Sequence, residues 1–409
     1  VDILYILLVL LIATRLAGEV AERLGQPPLL GELIAGVLLG LVAGHWSGVF
    51  PILSNLGDNE VFGALSDLGV FFLMLHAGVE LRPRELVKAS RAALIVGAAG
   101  LLLPFALGLG FGWAVLPDSG LKATQTLFLG TALAVTAVPV AVRVLMDMDA
   151  LDSRAGRLVV AAALVDDVLS LVLLAALTAA IRQGHLPGGI GLVPPLLRVA
   201  AFFVVAVAVG KWVFPTVGRW LKRARAGEFE FSMLLVAALA YAELAEVLDL
   251  HFILGAFFAG LFFGRRTVDP EVYEETRTKI RGLTTGFLAP IFFASVGLHL
   301  DLAAVTAIPL VLTGLVVLAV VGKVAGAGLG ARVAGLSGRT SLVVGVAMNA
   351  RGAVELIIAD VALKAGLFAT PDPPPPEVAH LFSAVVIMAL VTTLMTPLAL
   401  KWALARPRR

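Results

Sequence analysis

Thirteen apolar runs, nearly all of them long enough to cross a bilayer, follow one another along this chain with little polar sequence between them. A spanning helix needs about 20 mostly apolar residues. Hydrocarbon offers the backbone no water, so whatever crosses it is a helix or part of a closed barrel. Runs of this length read as helices, at 1–24, 27–45, 60–79, 88–115, 122–148, 154–181, 193–222, 229–247, 250–265, 277–298, 302–333, 339–366 and 377–405. Glu243, Glu246 and Asp249 interrupt the hydropathy around the eighth to tenth. Charged residues are 15% of the chain, against about 25% in a soluble domain. The sequence therefore predicts an all-α polytopic membrane protein of thirteen spans. No cysteine is present, which excludes disulfides, thiol catalysis and cysteine-ligated metals. The first run has no basic leader or small-residue cleavage site, so no signal peptide is expected. A start at Val1 without methionine predicts that N-terminal sequence has been removed. Any cytosolic regulatory domain would lie outside this sequence.

Basic residues set the orientation. With the N-terminus outside, only Lys122, Arg182, Arg198 and Lys364 fall on the outer side, and Lys211, Lys323 and Arg351 lie within spans; the other basic residues sit in or beside inner connections. The expectation is a multi-pass protein of the plasma (inner) membrane, N-terminus out and C-terminus cytoplasmic. The basic loops are this orientation signal, and no nucleic-acid partner is expected.

The chain also repeats itself. P-L-L-G-E-L-I-A-G-V-L-L-G in the second span resembles F-I-L-G-A-F-F-A-G-L-F-F-G in the ninth, and Gly31, Gly36 and Gly40 recur at Gly255, Gly260 and Gly264 at one constant offset. F-F-L-M-L-H-A-G-V-E-L in the third echoes P-I-F-F-A-S-V-G-L-H-L in the tenth. Corresponding spans are an odd number apart, so the second copy enters the membrane upside down. Inverted repeats of six plus six spans, with the seventh as connector, are the build of secondary transporters.

Such transporters bind ions where helices unwind near the midplane. Pro139, in T-A-V-P-V of the fifth span, removes a backbone donor and crowds the preceding turn. The corresponding twelfth span carries M-N-A-R-G, with Asn349 and Arg351. Two matched breaks predict two crossed discontinuous helices whose freed carbonyls and dipole ends converge. Asp166 and Asp167 lie side by side on the sixth span, where a carboxylate must line a polar cavity or carry a proton. They point about 100° apart, so they border one cavity with different partners. Asp167 is assigned to the transported ion and Asp166 to a nearby cation, for which Lys323, deep in the eleventh span, is the candidate. Lys323 then either holds two helices together or competes with the incoming ion. Arg351 and Glu355, four apart, can pair on one helix face and read as holding the crossing rather than binding the ion. Protons and an alkali cation would compete at the Asp166–Asp167 site, and alternating exposure of such a site is an exchange mechanism. No cofactor is required. His76 reads as a packed histidine. Glu32, Asp67, Glu243 and Glu246 line aqueous funnels or sit in interfacial water. The remaining histidines show no metal-ligand spacing.

At these residues the sequence resembles the monovalent cation:proton antiporter family 2. The motifs are L-F-L-G-T-A-L-A-V-T-A-V-P-V, S-R-A-G-R-L-V-V-A-A-A-L-V-D-D-V-L, F-L-A-P-I-F-F-A-S-V-G, V-G-K-V-A-G and M-N-A-R-G-A-V-E-L-I. The resemblance implies an ion carboxylate at Asp167 with Asp166 beside it, Lys323 as the partner of the first aspartate, and Thr136 with nearby carbonyls completing the ion shell. It implies scaffold helices at 1–81 and 227–300, a linker helix at 186–226, and core helices at 82–185 and 301–409. The core would move as an elevator past a scaffold that forms a homodimer. Many sodium–proton members have Glu directly after Arg-Gly, where this chain has Ala353, and N-A-R-G-A-V-E-L-I looks more like the potassium-handling and plant or fungal branch. Exchange of Na+, K+ or Li+ for H+ is the expected function. A D-D pair with a core lysine is associated in the family with electrogenic exchange. The alternatives are the membrane part of a glutathione-gated potassium efflux system, an intramembrane aspartyl protease or a proton-relay subunit. The protease would need aspartates facing each other from separate helices. The self-contained repeat argues against the subunit.

Overall fold

The computed structural model describes residues 2–45, 56, 59–81, 90–136, 145–146, 153–183, 193–221, 228–263 and 270–405, and all regular structure among them is helical. Apart from two single turns, Ala304–Ala307 and Pro376–Ala379, the helices in chain order are α1 (Asp2–Arg23), α2 (Pro28–His45), α3 (Glu60–Glu80), α4 (Arg91–Val115), α5 (Lys122–Ala134), α6 (Arg154–Gln183), α7 (Val193–Leu221), α8 (Phe229–Val247) and α9 (Phe252–Phe262). They continue with α10 (Pro270–Leu298), α11 (Pro309–Val333), α12 (Gly338–Ala347), α13 (Ala353–Lys364) and α14 (Leu381–Ala405). By length and composition α1, α3, α4, α6, α10, α11 and α14 can each cross a membrane.

Several ends differ from the hydropathy reading. Helix α10 starts at Pro270, not 277, because Pro suits a first helical turn, where a backbone donor has no partner anyway. Its polar first half buries Tyr273, Thr276 and Ile280 along one face, a stripe that average hydropathy passes over. Helix α11 starts at Pro309 rather than 302, since the residue before a proline is pushed out of helical geometry, and Ile308 has φ −131 and ψ 51. Helix α8 runs unbroken through Glu243 and Glu246. Glu246 Oε1 accepts from the Phe252 amide at 3.0 Å at the start of α9.

The chain divides into two compact units, one of residues 1–83 and 188–299, the other of 84–187 and 300–409. The first holds α1–α3 and α7–α10. Within it α2 packs on α10, and α9 packs on α3, through equivalent atoms. A methyl group at Gly36 would overlap the Ala294 carbonyl, and one at Gly297 the Leu33 carbonyl. At the matching positions Gly260 meets the Leu75 carbonyl and Gly78 the Phe257 carbonyl. Gly31 against Ala17 of α1 is likewise repeated by Gly255 against Tyr241 of α8. The second helix of each sequence repeat thus packs on the third helix of the other, and glycine is what lets the backbones touch. Gly260→Ala is expected to destabilise the protein by about 1–3 kcal/mol, whereas Gly63→Ala, with nothing within 4 Å of the new methyl, is expected to stabilise it by up to about 1 kcal/mol through helix propensity. Unfolding temperatures in detergent read the difference.

Glu32, assigned from the sequence to a funnel or interface, is buried and paired instead. Arg15 Nη1 reaches Glu32 Oε1 at 3.2 Å and the Thr285 carbonyl at 3.0 Å. Thr285 lies in a single π-type turn, Thr284–Leu288, inside α10. That turn loosens the ordinary helical ladder, and Arg15 supplies a donor there.

Large apolar side chains also point outward. Leu4, Leu8, Ile12, Leu16 and Val20 form an exposed row on α1, and Leu310, Val317, Val321 and Val333 are exposed on α11. Apolar surface of this extent belongs in lipid.

Candidate functional site

The second unit is organised around α4. Its Gly97 lets the Ala162 carbonyl and Val165 of α6 approach, and its Gly108 meets Gly130 of α5. On α11, Gly322, Gly326 and Gly330 recur every fourth residue and rest on Pro104, Ala99 and Ile95 of α4. Lys323, next to the first of these glycines, is fully buried.

Helix α5 stops at Ala134 because Val135 turns to extended backbone, φ −71 and ψ 148. The last carbonyls of a helix have no partner of their own, and they carry the negative end of its dipole. Here each is met by a cation. Arg351 Nη1 donates to the carbonyls of Ala132 and Val135, both at 2.7 Å, and Nη2 to Leu133 at 2.7 Å. Lys323 Nζ donates to the Ala134 carbonyl. Helix α5 therefore ends in a cup of four carbonyls held by one guanidinium and one ammonium.

Lys323 Nζ also reaches Asp166 Oδ1 at 2.9 Å, with both side chains fully buried. The second oxygen, Asp166 Oδ2, has no hydrogen bond among the described residues. Asp167 is different. It is half-buried, and no hydrogen bond or ion pair reaches its carboxylate among the described residues. Adjacent helical residues diverge by about 100°, so one aspartate binds the lysine while its neighbour stays accessible. Thr136, two residues past α5, is buried, and its hydroxyl has no partner among the described residues. Pro139 lies outside the described residues.

The second break runs from Met348 to Gly352, between α12 and α13. Helix α14 holds it through threonines. Thr393 Oγ1 donates to the Arg351 carbonyl at 3.0 Å, and Asn349 Nδ2 donates to Thr396 Oγ1 at 3.4 Å. Thr396 in turn donates to the Thr392 carbonyl at 2.7 Å. These threonines were passed over in the sequence, although T-T-L-M-T is the one polar cluster in that apolar run.

The sequence paired Arg351 with Glu355 along one helix face. The structure keeps that ion pair, with Arg351 Nη1 3.8 Å from Glu355 Oε2, a separation beyond hydrogen-bond range. Arg351 precedes α13, and its hydrogen bonds go to the negative end of α5, where it holds the crossing. A planar fork of donors can serve several converging carbonyls at once. Both Glu355 oxygens are buried without a hydrogen bond among the described residues.

The comparisons with known proteins agree with this architecture. Residues 6–406 match the family described as sodium/hydrogen exchanger, transmembrane. The Na(+)/H(+)-K(+) antiporter GerN of Bacillus cereus is 31% identical over 96% of this chain and 94% of its own length. The Na(+)/H(+) antiporter of Enterococcus hirae is 30% identical over 97% of both chains. The solved structure of the sodium proton antiporter MjNhaP1 from Methanocaldococcus jannaschii superposes with a TM-score of 0.72 over 99% of this chain and 98% of that one, at 18% identity.

Proposed function

Because this chain belongs to the sodium/hydrogen exchanger family, a family of multi-pass membrane transporters rather than enzymes, we propose that it exchanges a monovalent alkali cation for H+ by alternating access. The observation that carries this reading is the half-buried Asp167 carboxylate. It stands beside a buried Asp166–Lys323 ion pair and close in the fold to a helix end capped by cations. A carboxylate placed so is in hydrocarbon without a fixed partner, and a proton or a metal ion can neutralise it. In this reading Asp167 takes the alkali cation, Asp166 sets the local charge through Lys323, and Thr136 with nearby carbonyls supplies neutral oxygens. Hard cations of this kind take oxygen ligands, and no resident cofactor is called for.

The unit of residues 84–187 and 300–409 would be the moving core. The other would be the scaffold of a homodimer in the inner membrane, with the N-terminus outside and the C-terminus in the cytoplasm. Sodium is the first choice of cation. Potassium is the second, supported by the N-A-R-G-A-V-E-L-I segment and by the name of the Bacillus cereus relative.

Purified protein in liposomes tests this. With a pH gradient imposed and the voltage clamped by an ionophore, Na+, K+ or Li+ added in turn should drive proton movement across the membrane. If none of them does, the reading fails. Lys323→Gln, which leaves a neutral side chain of similar length, is expected to shift the pH dependence of exchange or its charge stoichiometry, read on the folded fraction, because removing one partner of the buried Asp166–Lys323 pair also lowers stability. Unaltered transport across the pH range would count against a transport role for the lysine.

A further inference from the structure

Glu355 is the buried charge that the exchange mechanism above leaves unused. It sits in the first turn of α13, fully buried, and neither carboxylate oxygen has a hydrogen bond among the described residues. The charges acting on it are Arg351, at 3.8 Å, and Lys323. Neither donates to it. The Arg351 terminal nitrogens are engaged by the carbonyls of Ala132, Leu133 and Val135, and Lys323 by Asp166 and Ala134. An ionised carboxylate buried without a hydrogen-bond donor is costly, and here only the ion pair with Arg351 offsets that cost.

Charge balance points the same way. Asp166 acts on both Lys323 and Arg351, and Asp167 acts on Lys323, so these five groups share one electrostatic environment. They are two cations and three carboxyls. With Asp167 ionised, one proton on Glu355 leaves the set neutral. An alkali cation arriving at Asp167 adds a positive charge, and loss of that proton restores neutrality while Lys323 keeps its own and stays paired with Asp166.

We propose that Glu355 carries one of the protons exchanged for the cation, and that Arg351 is its switch. With the proton in place, Glu355 is neutral and the guanidinium caps α5. When the proton departs to solvent, the carboxylate draws the guanidinium across the 3.8 Å gap, and the carbonyls at the end of α5 are freed to face a cation. The O–H bond of the acid breaks, the proton goes to water, and the electron pair stays on the carboxylate. This deepens the exchange reading and rests on it, naming where a proton is held.

The experiment measures protons released per cation bound, in weakly buffered detergent solution with NaCl or KCl as the probe. Glu355→Gln keeps the shape and cannot release a proton. It is expected to release one proton fewer per bound cation than the unmodified protein. Its cation affinity should lose the dependence on pH, up to tenfold per pH unit, that one linked proton imposes. Glu355→Asp restores release. Infrared difference spectra of the unmodified protein on adding the cation should lose a protonated-carboxyl band, and this measurement stands even where Glu355→Gln does not fold. Unchanged proton release in Glu355→Gln, or a band loss that survives the substitution, overturns the proposal. If the unmodified protein binds cation with no proton release, the exchange reading itself has failed.

Discussion

Asp167→Asn is expected to reduce cation-dependent proton movement in proteoliposomes by at least about 100-fold, since at about 1.4 kcal/mol per tenfold this is the loss of one modest charge–ion interaction in a low-dielectric site. The amide has the shape of the acid but can neither hold a proton nor neutralise a cation. Folding should survive. Asp167 is half-buried and makes no hydrogen bond or ion pair among the described residues, so the substitution leaves no neighbour unsatisfied. Elution volume and unfolding temperature should match the unmodified protein. Asp166→Asn is the contrast, because it strands the fully buried Lys323 without its carboxylate, and removing one partner of a buried pair is strongly destabilising. Transport at the unmodified rate in Asp167→Asn would remove the ion-site assignment.

How much could be read in the sequence follows from which interactions are local. Helix existence came from hydropathy, a property each segment carries by itself. The repeat was visible because Gly31, Gly36 and Gly40 recur in order, and the structure gives the reason. Gly36 and Gly260 occupy equivalent places in two equivalent crossings, where a side chain would strike a backbone carbonyl. The Asp pair stood out because carboxylates are so rare in hydrocarbon. What could not be read was direction in space. Arg351 and Glu355 satisfy helical spacing, yet the guanidinium leaves its own segment for carbonyls more than two hundred residues away in the chain, at Ala132, Leu133 and Val135. No periodicity encodes that choice. Glu32 was misjudged for the same reason, since its partner Arg15 belongs to a different helix. The start of α10 was missed because a helix polar on one face averages out in a hydropathy window.

The second large effect belongs to Arg351. Replacing it with methionine preserves bulk and removes every donor, so the buried carbonyls of Ala132, Leu133 and Val135 lose their bonds. A buried acceptor without a partner costs about 1–3 kcal/mol. The contributions are not additive, and the end of α5 will relax, so about 3–5 kcal/mol is the expected loss, the usual cost of breaking a buried charged network. It should appear as a lower unfolding temperature in detergent. Arg351→Lys separates charge from geometry. An ammonium keeps the favourable interaction with the helix end but cannot span three carbonyls as a planar fork does, so it should recover only part of the stability. Equal stability in all three proteins would mean that the carbonyl cup is held by something other than the guanidinium. Full recovery by lysine would mean that charge alone suffices, and the fit of fork to carbonyls would not be what fixes the break.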